Sequence, residues 1–357
     1  MDIGGAGRAD CQDALDRADK DLAAIIEAVA PDQPDAVSDI VDIERRLREL
    51  VQGLTLVLDG TDERYVYAVQ VNLRLTSGGE TLSAERIDIG QAFADDWYPA
   101  MESLIFTSAT ISISGSFDHF NRSIGLDRLP PGSHASLHLD SSYNFEDNMA
   151  VVVAGDLPDP RNREAYINEL EKLLVDIHIA MDGSVLTLFT NRRDMEDLFE
   201  RVRPRLAAAG LELACQDRAT SAKRLRDHFI QETGSSLFAL KAFWEGFDAS
   251  GETLRCVVIP KLPFARPTDP LSCERNLREE RAWARYALPD AVLEVKQAAG
   301  RLIRSSTDTG VLVLADSRLV TKGYGKKFLS SLPTAMYQRI DAKQVGRYLE
   351  LWRRSHE

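Results

Sequence analysis

Gln297-Ala298-Ala299-Gly300-Arg301-Leu302-Ile303-Arg304 sets two arginines three residues apart, beside a glycine, at the end of a helical stretch. Residues three apart share a helix face, so both guanidiniums are predicted to reach one anion. A guanidinium has five fixed donors that match phosphate oxygens. Brought to a transferring phosphate from another domain, it speeds hydrolysis by roughly three to five orders of magnitude. The same pair can also cap a helix C-terminus. No G-x-x-x-x-G-K-[ST] phosphate loop is present; Gly325-Lys326-Lys327 lacks the preceding glycine spacing and the hydroxyl. The arginines would therefore act on a phosphate gripped elsewhere, and this chain alone is not expected to hydrolyse a nucleoside triphosphate.

Other groups follow an order along the chain. Leu104-Ile-Phe-Thr-Ser108-Ala109-Thr110-Ile is predicted to be an apolar strand running into a small hydroxyl turn, and Val185 to Asn191 is a second strand ending on Thr190 and Asn191. Leu240-Lys-Ala-Phe243-Trp244-Glu245-Gly246-Phe-Asp248 comes next, then the Gln297 to Arg304 run. Val311-Leu-Val-Leu-Ala-Asp316-Ser-Arg318-Leu and Lys322-Gly-Tyr324-Gly325-Lys-Lys-Phe328 close the series. In this order the groups resemble motifs III to VI of superfamily 2 helicases, in the branch that contains DinG and XPD. The likeness spans roughly residues 100 to 335.

The resemblance implies a RecA-like α/β domain that closes on ATP from the side opposite the phosphate loop. It casts Arg304 as the finger that stabilises transition-state charge, with Arg301 facing the same phosphate and Gln297 and Gly300 shaping the approach. Gly246, Asp248 and Glu245 fall on the nucleotide side, Glu245 as a link between cleft and DNA. Ser108, Thr110, Thr190 and Asn191 would bond phosphates of single-stranded DNA, and Phe243 and Trp244 would stack on bases. An aromatic pair after a buried strand can equally be core. ATP and Mg²⁺ would be used by the complete protein, whose first motor domain, in the same polypeptide, supplies the phosphate loop and any iron-sulfur cluster. The family moves 5′ to 3′. On this reading residues 1–115 comprise the arch insertion and the end of the first motor domain through S-A-T, and residues 116–357 the second. Ser141-Ser-Tyr-Asn144-Phe resembles the S-P-F element, with serine in place of proline.

The formal net charge of -13 lowers the expectation of nucleic-acid binding for the chain as a whole. Basic residues nevertheless outnumber acidic ones from Lys296 to Arg354, and a local strip is enough to track one strand. No apolar run approaches the ~18 residues that span a bilayer, and Met1-Asp-Ile-Gly-Gly is unlike a signal peptide. A cytoplasmic protein without membrane contact is expected. Cys11, Cys215, Cys256 and Cys273 lack metal-ligand spacing, and Pro130-Pro-Gly-Ser argues against a helix pairing His134 with His138. Two functions of other classes stay open: a non-catalytic module that binds single-stranded nucleic acid, and an unrelated α/β enzyme for a phosphorylated metabolite. The second lacks a visible nucleophile, metal set or acid/base pair.

The elements that must position these groups follow from periodicity. Residues 10–30 and 37–52 read as two helices broken at Pro31 to Pro34. Leu54 to Leu58, a turn at Asp59-Gly60-Thr61, and Tyr65 to Val71 read as a β-hairpin, so Asp62-Glu63-Arg64-Tyr65 opens a strand instead of ending a buried one. From Ala150 onward, short apolar strands at 150–154, 184–190, 211–215, 236–240, 255–259 and 310–315 alternate with helices at 163–180, 193–209, 219–231 and 291–304. Apolar strands without polar alternation signal a parallel sheet covered by helices on both faces. Its ligands are expected beyond the carboxyl ends of the strands, with all the motifs gathered there.

Overall fold

The computed structural model describes residues 5–29, 34–71, 79–217, 220–240, 243 and 251–356. In chain order the elements are α1 (Gly5–Val29), α2 (Pro34–Asp59), β1 (Tyr65–Val71), β2 (Glu80–Arg86), α3 (Ile89–Ala92), α4 (Asp118–Ser123), α5 (Phe145–Asn148) and β3 (Met149–Val153). There follow α6 (Arg163–Ala180), β4 (Val185–Leu188), α7 (Arg192–Ala208), β5 (Leu213–Cys215), α8 (Ala222–Gln231), β6 (Ser236–Ala239), β7 (Cys256–Ile259) and α9 (Pro270–Arg278). The last are α10 (Leu288–Ala299), β8 (Gly310–Leu314), α11 (Arg318–Thr321), α12 (Gly325–Leu329), β9 (Gln338–Arg339) and α13 (Ala342–His356). Two compact units result: Met1–Ile89 with Thr268–Arg278, and Gly90–Pro267 with Glu279–Glu357.

In the first unit the hairpin differs from expectation. Leu54 to Leu58 continue α2 instead of forming a strand, because Gly60, in left-handed backbone (φ +59), acts as a helix C-terminal glycine and donates its N–H to the Leu56 carbonyl. The hairpin is β1 against β2, antiparallel, with Tyr65 opposite Arg86. Asp62 accepts hydrogen bonds from the backbone and guanidinium of Arg64, which hold its carboxyl down at about 2. It braces the turn into β1.

The second unit is built on a seven-stranded parallel sheet in the order β5-β6-β4-β7-β8-β3-β9. All six predicted strands are present; β9, only two residues long at one edge, lies below what periodicity can detect. Successive strand residues feed opposite faces. Val151, Val153, Leu186, Leu188, Leu312 and Leu314 meet α8, α10 and α12 on one face. Val152, Val185, Val311 and Val313 meet α6, α7 and α13 on the other. Full burial of each such side chain contributes roughly 1.5–3 kcal/mol, so the sheet is the rigid base for every loop at its ends.

A second expectation fails at residues 104–107. They form no strand, and Ile105 is 87% exposed. A strand needs a neighbour to complete its backbone hydrogen bonds, and among the described residues no strand pairs with it.

Candidate functional site

Parallel strands give the sheet an amino edge and a carboxyl edge, and the motifs divide between them. The expectation that all lie at the carboxyl edge is therefore corrected. Residues 300–309 lead from α10 into β8, which puts Arg301 and Arg304 at the amino edge. The reason is topological. The helix between two parallel neighbours runs from the carboxyl end of one to the amino end of the next.

The arginines also do not share a helix face. α10 ends at Ala299 with Gly300 as its C-cap, and the chain tightens into a turn in which Arg301 N–H reaches the Ala298 carbonyl at 3.1 Å. Leu302 and Ile303 are then buried to 1% and 2% exposure, with half-buried Arg301 and Arg304 on either side of that apolar pair. Asp308, 6% exposed, organises the rest: its Oδ2 accepts the N–H groups of Arg304 (2.8 Å) and Ser305 (2.9 Å), and its Oδ1 accepts the Ser305 hydroxyl at 2.8 Å. Asn148, at the amino end of β3, donates to the Ser306 carbonyl at 3.0 Å. The loop is thus fastened at three points. Gln297 lies half-buried in the last turn of α10. Gly300 has ordinary right-handed backbone, and a Cβ there would meet nothing closer than 3.6 Å. The fold itself does not demand glycine at this position.

At the carboxyl edge, Thr190 and Asn191 follow β4 as expected. Asn191 is committed to capping α7: its Oδ1 accepts Asp194 N–H at 2.8 Å and its Nδ2 donates to Asp194 Oδ2 at 2.6 Å. Thr190 is half-buried at the strand end. Asn144 caps α5 in the same manner, accepting from Asp147 N–H. Phe243 is completely buried, so its ring does not reach a base; the core reading holds for it. Trp244, Glu245, Gly246 and Asp248 lie outside the described residues. Ser108 and Thr110 belong to neither edge of the sheet. Ser108 Oγ accepts Thr110 N–H at 3.1 Å in a local turn of the irregular segment before α4.

Sequence reasoning left the D-x-R-L and Y-G residues without roles, and the structure assembles them at this edge. Asp316, 1% exposed, accepts from Leu262 N–H (2.9 Å), Arg318 N–H (3.0 Å) and the Arg318 guanidinium (2.9 and 2.5 Å), joining the loops after β7 and β8. Arg318 lies over Phe264, 5.5 Å from its centroid. Phe264, Trp283 and Tyr324 pack with centroids 5.2 to 5.7 Å apart, and Trp283 stays 41% exposed. Lys322, Lys326 and Lys327 are exposed around Tyr324 in sequence. Gly325 is required by packing, since a Cβ there would stand 1.9 Å from the Leu319 carbonyl oxygen. An aromatic shelf with cations beside it suits stacking on bases and neutralising a phosphate backbone. The signal was present in the spacing of D-x-R-L and Y-G; Trp283 and Phe264 join only through tertiary folding.

A parallel sheet with helices on both faces, its loops gathered at two opposite edges, is a RecA-like α/β fold. Residues 174–335 match the helicase C-terminal domain family. The chain is 36% identical over 274 residues to the ATP-dependent DNA helicase YoaA of Escherichia coli K12, covering 76% of this chain and 42% of that protein. It is 33% identical over 251 residues to the ATP-dependent helicase DinG of Mycobacterium tuberculosis H37Rv, covering 69% and 37%. A Bacillus subtilis relative, described as 3'-5' exonuclease DinG, is 25% identical over 310 residues, with 85% and 33% covered. Among solved structures, an XPD helicase superposes with a TM-score of 0.57 at 16% identity, over 88% of this chain and 55% of that one, a likeness of fold. The chain corresponds to the C-terminal part of DinG/XPD-type superfamily 2 helicases, and spans about two fifths or less of the length of these curated relatives. No helix among the described residues is long and apolar enough to cross a membrane.

Proposed function

We propose that this chain supplies the C-terminal motor portion of an ATP-dependent helicase that translocates 5′ to 3′ on single-stranded DNA. The observation that carries the proposal is the division of charged groups between the two edges of one rigid sheet. A fastened arginine loop at the amino edge can meet a nucleotide while the carboxyl edge meets a strand. Arg304 is the finger on the terminal phosphate and Arg301 supports it; Gln297 and Gly300 border the approach, and Gly246, Asp248 and Glu245 complete the nucleotide side. Thr190 bonds the strand at the carboxyl edge, where Trp283 and Tyr324 provide the stacking surface. Ser108 and Thr110 contact it from the segment that joins this domain to the first motor domain. That first domain, in the same cytoplasmic polypeptide, contributes the phosphate loop, the Mg²⁺ carboxylate and any iron-sulfur cluster, with residues 1–115 comprising the arch insertion and its end. Without it the chain does not turn over ATP, since no lysine-bearing phosphate loop occurs in the sequence.

The test compares ATP hydrolysis, with and without single-stranded DNA, by this chain and by the polypeptide extended through a phosphate-loop domain. Silence from the chain and DNA-stimulated turnover from the longer protein support the proposal. In that longer protein Arg304→Ala is expected to lower stimulated turnover at least ~100-fold with ATP binding retained. Turnover by the chain alone would refute the division of labour. Silence from both, with salt-sensitive strand binding, would point to a non-catalytic binding module.

A further inference from the structure

Lys296 occupies the last turn of α10, one residue before Gln297, and its carbonyl accepts the Gly300 N–H at 3.0 Å. Its ammonium donates to Ser112, to the carbonyl oxygen at 2.9 Å and toward the hydroxyl at 3.2 Å. Ser112 is 5% exposed. Burial lowers the lysine's pKa, and both oxygens that hold it are neutral. A partly desolvated ammonium without a carboxylate gives up hydration for little Coulomb return, so this contact is unlike an ordinary surface lysine.

The residues after Ser112 are fixed as firmly. Ile113 and Ser116 exchange backbone hydrogen bonds of 2.9 Å in both directions, around Ser114 in left-handed backbone at φ +48. Ser114 donates its N–H to the Ser331 hydroxyl at 3.1 Å and pairs its own hydroxyl with Ser330 at 2.8 Å. Residues 112–116 are therefore clasped between the end of α10 and the end of α12. Just upstream, residues 101–109 are exposed and form no regular element. The Ser108 to Thr110 turn is thus tied, two residues on, to the helix end from which Arg301 and Arg304 project.

We propose that Lys296 is a positioning residue that couples the Ser108 to Thr110 segment to the arginine loop, so that engagement of a strand at the first adjusts the placement of Arg301 and Arg304. The coupling rests on the motor function proposed above. Lys296 does not touch nucleotide or strand; it acts by holding Ser112 against α10.

The test uses the complete motor protein carrying Lys296→Met, which keeps most of the aliphatic stem and removes the ammonium. ATP turnover is measured without and with saturating single-stranded DNA, together with KM for ATP and strands separated per ATP consumed. Expected are unchanged unstimulated turnover, KM within about twofold, and stimulation by DNA reduced by about fivefold or more, in the range of ordinary site-to-site coupling. Lys296→Arg restores stimulation in part. Ser112→Ala, a small change that guards against a Lys296 variant that fails to fold, reduces stimulation in the same direction, and the double variant is no worse than Lys296→Met alone. A variant that lowers only the melting temperature and keeps wild-type stimulation overturns the inference while the motor function stands. Absence of stimulation in the wild-type protein overturns both.

Discussion

Replacing Asp308 by alanine isolates the carboxylate that organises the arginine loop. Three donors converge on it, and they do not lose equally. The Ser305 hydroxyl has Thr307 Oγ1 3.1 Å away and can turn to it. The N–H groups of Arg304 and Ser305 both donate to Oδ2, at 2.8 and 2.9 Å. An unsatisfied buried donor costs about 1–3 kcal/mol, and partial access of water favours the low end, so Asp308→Ala is expected to cost about 2–3 kcal/mol. Asp308→Asn keeps one oxygen for the two N–H groups, while its amide can donate to the Ser305 hydroxyl. Only charge assistance is lost, about 1 kcal/mol. The assay is urea unfolding of both variants by circular dichroism, with amide hydrogen exchange read at Arg304 and Ser305. Exchange there should accelerate far more in the alanine variant than in the asparagine variant. Equal stability and equal exchange in the two variants would show that Asp308 does not hold the loop.

Four further outcomes are expected. His178 is completely buried between the hydroxyls of Ser236 (2.8 Å) and Thr187 (3.3 Å), and burial depresses its pKa to about 3. Because the unfolded chain binds the proton and the native one does not, this stability is fully present above about pH 6.5 and is lost as pH falls toward 3. From pH 7 to 5 the loss is about 2 kcal/mol, seen as a lower urea midpoint; a His178→Gln variant with the same pH slope would count against it. Gly325→Ala forces a Cβ against the Leu319 carbonyl at 1.9 Å and should destabilise by about 2 kcal/mol or more. Gly300→Ala should leave stability within about 0.5 kcal/mol yet reduce ATP turnover of the complete motor; thermal melts and turnover that fail to separate the two glycines would refute this distinction. Trp283→Ala should weaken single-stranded DNA binding by about 1–3 kcal/mol without changing its salt slope, and an unchanged affinity in titrations would exclude the aromatic shelf.

Much of the second unit was legible in the chain itself, for a local reason. Apolar runs of four or five residues such as Ala150 to Ala154 and Val311 to Leu314, set between amphipathic helices, signal a parallel sheet covered on both sides. α6 begins and ends at Arg163 and Ala180 as its periodicity predicts. The hairpin was misread because Asp59-Gly60-Thr61 has turn chemistry that serves a helix end as well as a β-turn; what decides is whether Leu54 to Leu58 find a strand or continue the helix behind them. Leu104 to Thr107 show the same limit from the other side: strand composition does not make a strand without a neighbour.

The chemistry divides in the same way. Arginine, glycine and acid spacing at Gln297 to Asp316 carried, within the sequence, the family likeness. Which edge of the sheet carries Arg301 and Arg304, that Phe243 is core, and that Trp283 joins Phe264 and Tyr324 were decided only by tertiary structure. Side-chain type and local spacing are properties of a few neighbouring residues. Edge, burial and partnership depend on how crossover helices return the chain across a twisted sheet, and those contacts join residues tens to hundreds of positions apart.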